Sequence, residues 1–146
     1  MTTLVIDASI AIKWVVEEEG TSDALALKGR ARLAAPDLLV PECANILWKK
    51  VQRKELSKEE ALLAASLLAR SDIELFPMRA MLEPASRLAI ELDHPAYDCV
   101  YLVLAAANGW RLVTADERLL RKLRQAKPAR SMPDVVSLSE AAATRE

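Results

Sequence analysis

The stretch "LVIDASIAIKW", Leu4 to Trp14, decides how the rest of the chain reads. A continuous apolar run with β-branched Val5 and Ile6 fits a short buried strand over residues 3–7. The run ends on a bare carboxylate, Asp7, and helical spacing follows at once through Ile12 and Val16. Ser9 is placed to cap that helix. A strand that feeds a helix directly suggests an α/β fold. In such folds the working crevice lies at the carboxyl ends of the strands.

Working outward, strands and helices alternate. "GTSDALALKGR" starts a second helix, with Thr21 or Ser22 as its cap. Leu33 to Ala35 reads as an edge strand between prolines and charges. A long helix follows over about 38–53, and "SKEEALLAASLLAR" begins on a capping box, Ser57 to Glu60. "DIELFPM" alternates like a strand, and residues 80–92 are helical. Pro95 opens a helix that runs to Asn108 and stops at Gly109. "WRLVTAD" is a strand, a basic helix follows it, and "DVVSL" is a last strand. The tail from Glu140 reads as loose. The alternation predicts one domain over 1–146, with a mostly parallel central sheet and helices on both faces.

Composition narrows the class. Of the 146 residues, 52% are hydrophobic and only 4% aromatic, which suits Ala- and Leu-rich helices on a small sheet. Three glycines and seven prolines argue against a turn-rich β fold and against disorder. No apolar run approaches the roughly 18–20 residues of a membrane span. No basic segment precedes the first apolar stretch, so a secretory signal is not expected. Two cysteines, Cys43 and Cys99, make no disulfide framework and read as buried thiols. These features together predict a cytosolic protein.

Net charge is −1, yet charge is uneven. Arg118, Arg121, Lys122, Arg124, Lys127 and Arg130 follow one another with no acid between them. They form either a solvated helix face or a surface for phosphates.

Four acids sit awkwardly. Asp98 is the only carboxylate or basic side chain between Pro95 and Asn108, in a helix apolar nearly all round. Such a helix should be deeply packed, and a carboxylate there needs a cation, strong donors, or the dipole of the first helical turn. Asp7 ends a strand and Asp116 follows one; each also reads as a helix cap. Glu42 follows Pro41 at the start of the long helix, with Asn45 on its face. If the four converge, repulsion drives proton uptake unless a cation neutralises them. The donors are hard oxygens, with no thiolate among them, and His94 lies outside the apolar segments. That set suits Mg²⁺ or Mn²⁺ rather than Zn²⁺ or copper.

"LVIDASIAIKW", "PECANILWK", "YDCVYLVLA" and "RLVTADERL", in that order, resemble the PIN-domain ribonucleases, and more narrowly the VapC toxins of toxin–antitoxin pairs. The resemblance implies a PIN-like three-layer fold. It implies that Asp7, Glu42, Asp98 and Asp116 bind one or two Mg²⁺ or Mn²⁺ ions and cut RNA phosphodiesters with an activated water. Asp116, the least uniform of the family's acids, would hold a second ion or the water shell. Ser9 and Thr114 match supporting hydroxyl positions, and Asn45 a polar position beside Glu42. Asp93 and Glu117 lie near the expected acids as alternatives to Asp98 and Asp116. A VapB-like antitoxin and a homodimer are further implications of the resemblance. The helix "ALLAASLLA" could offer a groove to a partner helix.

Other residues read more plainly. Lys13 is either a site cation or a solvated lysine, and Arg118 and Arg121 are weak candidates for guiding RNA. Trp14, Trp48, Trp110, Tyr97 and Tyr101 read as packing, and His94 as a loop residue rather than a general base. Two other functions compete with the toxin reading. One is a housekeeping RNA-processing nuclease. The other is a non-catalytic PIN or receiver-like binding module.

Overall fold

In a computed structural model of the protein, which describes residues 1–126 and 132–144, five strands form one sheet. They are β1 (Thr3–Ile6), β2 (Arg32–Pro36), β3 (Glu74–Phe76), β4 (Arg111–Thr114) and β5 (Val135–Ser137). The order is β3-β2-β1-β4-β5, and every pairing described is parallel. The expectation of a mostly parallel α/β sheet is met. Strand order reverses at the β1–β4 boundary, where Ile6 faces Val113. A reversal of this kind opens a crevice at the carboxyl ends of the two strands. Asp7 is the first residue past β1, and Ala115 the first past β4.

The helices are α1 (Ala8–Ala11), α2 (Thr21–Leu27), α3 (Leu39–Gln52), α4 (Lys58–Ala69), α5 (Leu82–Leu92), α6 (Ala96–Asn108), α7 (Glu117–Gln125) and α8 (Leu138–Ala143). Short 3₁₀ turns cover Ile12–Trp14 and Arg79–Met81. Helix α6 lies across β1, β2 and β4, while α7 and α8 pack on β5. The main core joins Val5, Ile6, Leu112 and Val113 of the sheet to Leu102, Leu104 and Ala105 of α6. A smaller cluster of Ile12, Leu47, Ala61 and Ala64 seats α4. Both cysteines are buried free thiols, as expected. Among the described residues no helix is long and apolar enough to cross a membrane.

Several local expectations change. Asp7, not Ser9, caps α1: its carboxylate accepts from the Ser9 amide, and Ser9 is already helical. The α-helix stops at Ala11 and tightens to a 3₁₀ turn instead of running to Val16. β2 is interior, not an edge, because β1 and β3 both pair with it. The tail is not loose from Glu140; α8 runs to Ala143 on a Ser137–Glu140 capping box. Helix α2 is capped by Gly20 rather than by Thr21 or Ser22. The Thr21 hydroxyl instead donates to the Val16 carbonyl and accepts from the Glu18 amide.

Gly20 sits at φ +89°, where an L side chain is strained. A Cβ there would meet Leu138 Cδ2 at 3.1 Å and Lys13 Cε at 3.3 Å. Gly20→Ala is therefore expected to cost about 1–2 kcal/mol. Thermal unfolding should show a midpoint lower by roughly 3–6 °C. An unchanged midpoint would mean that the turn before α2 adapts without strain.

Candidate active site

The site begins with two hydroxyls that tie one carboxylate to the neighbouring strand. The Thr114 hydroxyl, at the end of β4, donates to Asp7 Oδ2 at 2.6 Å. The Ser9 hydroxyl donates to Asp7 Oδ1 at 2.5 Å, and the Ser9 amide donates to the same oxygen at 3.1 Å. Each hydroxyl also accepts an amide proton from the turn after β4: Ala115 N–H to Ser9 Oγ and Asp116 N–H to Thr114 Oγ1, both at 3.0 Å. Ser9 and Thr114 thus clamp Asp7 and shape the opposite lip of the crevice. The resemblance gave both as supporting hydroxyls, and here each bonds Asp7.

Two more carboxylates arrive from other segments. Glu42 projects from the first turn of α3, half-buried, and accepts a 2.5 Å hydrogen bond from the Tyr101 hydroxyl. Asp98 lies in the first turn of α6, where the helix dipole favours an anion. It is not deeply packed, as its apolar helix suggested: a third of the side chain is exposed. Its Oδ2 pairs with His94 Nε2 at 2.6 Å. His94 is thus a loop residue in position but a site residue in contact. Its spacing of four from Asp98, across the turn that opens α6, is the one signal that could have shown it.

The three acids feel one another. Burial, followed in part by the Asp98 charge and opposed by the Ser9 and Thr114 bonds, pushes Asp7 up to about 6. Burial also raises Glu42; the Tyr101 bond opposes this and the Asp98 charge reinforces it. Tyr101 is held protonated by burial, by its bond to Glu42 and by the Glu42 and Asp7 charges. Burial, then the Glu42 and Asp7 charges, lifts Cys43 to about 12, and burial, then the Asp98 charge, lifts Cys99 to about 11. Neither thiol supplies a thiolate ligand at neutral pH.

Among the described residues, no group of three or more His, Cys, Asp or Glu side chains stands close enough to hold a metal ion as placed. The donor chemistry nevertheless fits a hard divalent cation. Three carboxylates repel one another, and among the described residues no lysine or arginine pairs with any of them. Lys13, the candidate site cation, is spent on Glu18 at 3.1 Å and on the Glu19 carbonyl at 2.6 Å.

The remaining candidates lie further out. Asp116 is exposed and caps α7, its Oδ1 accepting from the Arg118 and Leu119 amides at 3.0 and 3.1 Å. Asp93 caps the end of α5, and Glu117 lies exposed in the first turn of α7. Asn45 lies three residues after Glu42 on α3 and is exposed. Arg118 and Arg121 are exposed on α7, whose other face buries Leu119, Leu120 and Leu123. Lys127 and Arg130 of the basic run lie outside the described residues. Trp14 packs and donates to the Ala24 carbonyl at 2.9 Å, and Tyr101 is fully buried. Trp48 and Tyr97 are mostly exposed, contrary to their reading as packing residues.

A family model described as "PIN domain" matches residues 4–125, a span that begins in β1 and ends with α7. The chain belongs to the PIN-domain family. It is 33% identical over 122 residues to "Ribonuclease VapC3" of Pyrobaculum aerophilum, covering 82% of this chain and 93% of that one. Within the PIN domains it therefore belongs with the VapC proteins. The fold is also that of PAE2754 from Pyrobaculum aerophilum: TM-score 0.72 at 22% identity, covering 97% of this chain and 87% of that one. It resembles the VapBC2 structure from Rickettsia felis bound to a DNA fragment from their promoter as well. There the TM-score is 0.63 at 14% identity, with 93% of this chain and 98% of that one covered.

The burial of Asp7 has a measurable cost in this PIN domain. Its pKa rises from 3.8 to about 6 on folding, so the folded state binds that proton more tightly than the unfolded chain does. The favourable contribution is complete below about pH 4 and lost as pH climbs through about 6. At about 1.4 kcal/mol per pKa unit the loss comes to roughly 3 kcal/mol. Urea unfolding in EDTA should show Asp7→Asn more stable than wild type by about 2–3 kcal/mol at pH 7.5. The gap should shrink towards pH 4. A variant less stable than wild type at pH 7.5 would mean that the ionised clamp is favourable after all.

Proposed function

We propose that this VapC-type PIN domain is a Mg²⁺- or Mn²⁺-dependent endoribonuclease, the toxin of a toxin–antitoxin pair. One observation supports the reading most. Asp7 and Glu42, far apart in the chain, come within reach of the Asp98 charge near the sheet's reversal point, and among the described residues no lysine or arginine pairs with any of the three. Asp7, Glu42 and Asp98 are the residues that hold the ion. When bound, a divalent ion supplies Lewis acidity and a water ionised near neutral pH. Ser9, Thr114 and Tyr101 fix the directions of the carboxylate oxygens. Asp116 caps α7 with one oxygen, and its carboxylate would support the ion from outside the three holding acids. Arg118 and Arg121 face solvent on the helix that begins at this turn and meet the RNA backbone there.

The partner surface follows from packing. An apolar cleft of about 370 Å³ runs between α3 and α4, lined by Leu39, Val40, Cys43, Leu47, Leu68 and Ile73. Leu62, Leu63 and Leu67 of the same helix α4 are exposed. Such a groove takes the apolar face of a helix, and a VapB-like antitoxin is the occupant we propose, a reading the likeness to a VapBC structure supports. Leu82, Ile90 and Tyr97 leave a second apolar surface around α5 and the start of α6, suited to a homodimer. Free buried thiols fit work in a reducing cytosol.

Purified chain should open a covalently closed RNA circle in Mn²⁺, and EDTA should stop it. Asp7→Asn and Asp98→Asn should each lower cleavage at least 100-fold while keeping the wild-type circular dichroism spectrum. Undiminished cleavage in either variant would refute the site. Cutting of linear RNA with circles left intact would make the enzyme an exonuclease instead.

Expression of the chain should slow growth, and the small protein encoded next to it should relieve the arrest. A chain that cuts RNA without affecting growth would point to the housekeeping role.

A further inference from the structure

His94 is the single histidine of the chain, in the turn between α5 and α6. Helix α5 ends on Asp93 in the left-handed region, φ +51°. The His94 amide then returns to the Ala89 carbonyl at 3.0 Å, and Pro95 follows as the residue that caps α6. Lys122 of α7 donates to the Asp93 carbonyl at 2.8 Å, pinning the turn from outside. The backbone of His94 is thus fixed on both sides, and its side chain is only 13% exposed.

The Nε2 of this held ring lies 2.6 Å from Asp98 Oδ2. An ionised carboxylate only accepts, so Nε2 donates; it can do so as the neutral Nε2–H tautomer or as the imidazolium. Asp98 Oδ1 makes no hydrogen bond among the described residues. Each acid of the site is held by at least one neighbouring side chain. Thr114 and Ser9 hold Asp7, Tyr101 holds Glu42, and His94 holds Asp98. The His94 bond restrains an acid that is a third exposed, whereas Asp7 is buried.

We infer that His94 is a positioning residue, presenting Asp98 Oδ1 to the divalent ion. The inference rests on the nuclease reading above but makes a claim of its own about metal affinity. Partners that orient a ligating carboxylate typically contribute 10- to 100-fold in affinity. A purely structural His94 would instead stiffen the α5–α6 turn and leave affinity unchanged.

The test is Mn²⁺ binding to the full chain without RNA, by calorimetry, for wild type, His94→Ala, His94→Gln and Asp98→Asn. Each variant's thermal midpoint is measured in EDTA. His94→Ala should bind Mn²⁺ at least 10-fold more weakly. His94→Gln, whose amide can present an N–H near the Nε2 position, should recover most of the loss. Asp98→Asn sets the floor. On RNA, His94→Ala should raise the Mn²⁺ concentration for half-maximal rate with little change in KM for RNA. Equal affinity in wild type and His94→Ala would overturn the inference and leave the nuclease reading standing. A loss in His94→Ala that Gln does not restore, with the EDTA midpoint falling in both, would overturn it in favour of a structural role. No Mn²⁺ binding by wild type would remove the metal reading and this inference together.

Discussion

An anion buried between two adjacent parallel strands is the constraint on which the site depends. Asp7 is 8% exposed, at the boundary where the sheet order reverses, and accepts hydrogen bonds from the Ser9 and Thr114 hydroxyls. Desolvation of a carboxylate outweighs two neutral hydroxyl bonds, which is why its proton is held to about pH 6. The same hydroxyls accept amides from the turn after β4, so the chain cannot relax Asp7 without loosening that turn. Packing fixes the register of β1 on β4, and the register fixes the clamp.

Helix α6 carries much of the remaining organisation. It packs on three strands and on α5, so its position follows from the core. Asp98 and Tyr101 stand three residues apart on it and therefore share a face. One contributes a carboxylate, and the other clamps Glu42, which belongs to α3. A shift of α6 would move two of the three acids together. The near absence of polar groups from this helix serves that purpose: Leu102, Leu104 and Ala105 leave it no alternative seat.

Much of this was legible in the residues. The apolar run before Asp7, the Ser57 capping box and the Pro95-to-Gly109 helix each carry a local rule that the core does not override. What failed had physical reasons. Asp7 and Ser9 are both good caps two residues apart, and only the fold shows that Ser9 is needed as a donor to Asp7. Prolines and charges around Leu33–Ala35 mimic an edge strand, although β3 arrives later in sequence to cover that side. The apolar faces of α6 suggested deep burial for Asp98, but its place in the first turn lets it look out of the crevice. Asn45 shares a helix with Glu42 yet faces solvent, because helical spacing says which residues are neighbours but not which way the face turns. His94 and Tyr101 were passed over because their partners are set by a turn and by a helix crossing, neither of which has a spacing rule.

The distribution of cations completes the picture. Lys13 and Lys50 both pair with Glu18, binding the segment after α1 to α3. Arg124 pairs with Glu140, holding α7 to α8, and Lys122 holds the turn before α6. The positive groups nearest the crevice are thus employed in fixing its walls, and Arg118 and Arg121 point to solvent. A lysine reaching Asp7 would relieve the repulsion from Asp98 and stabilise the chain. Among the described residues none does, so at neutral pH the buried carboxylate keeps a desolvation cost that the Ser9 and Thr114 bonds reduce but do not remove.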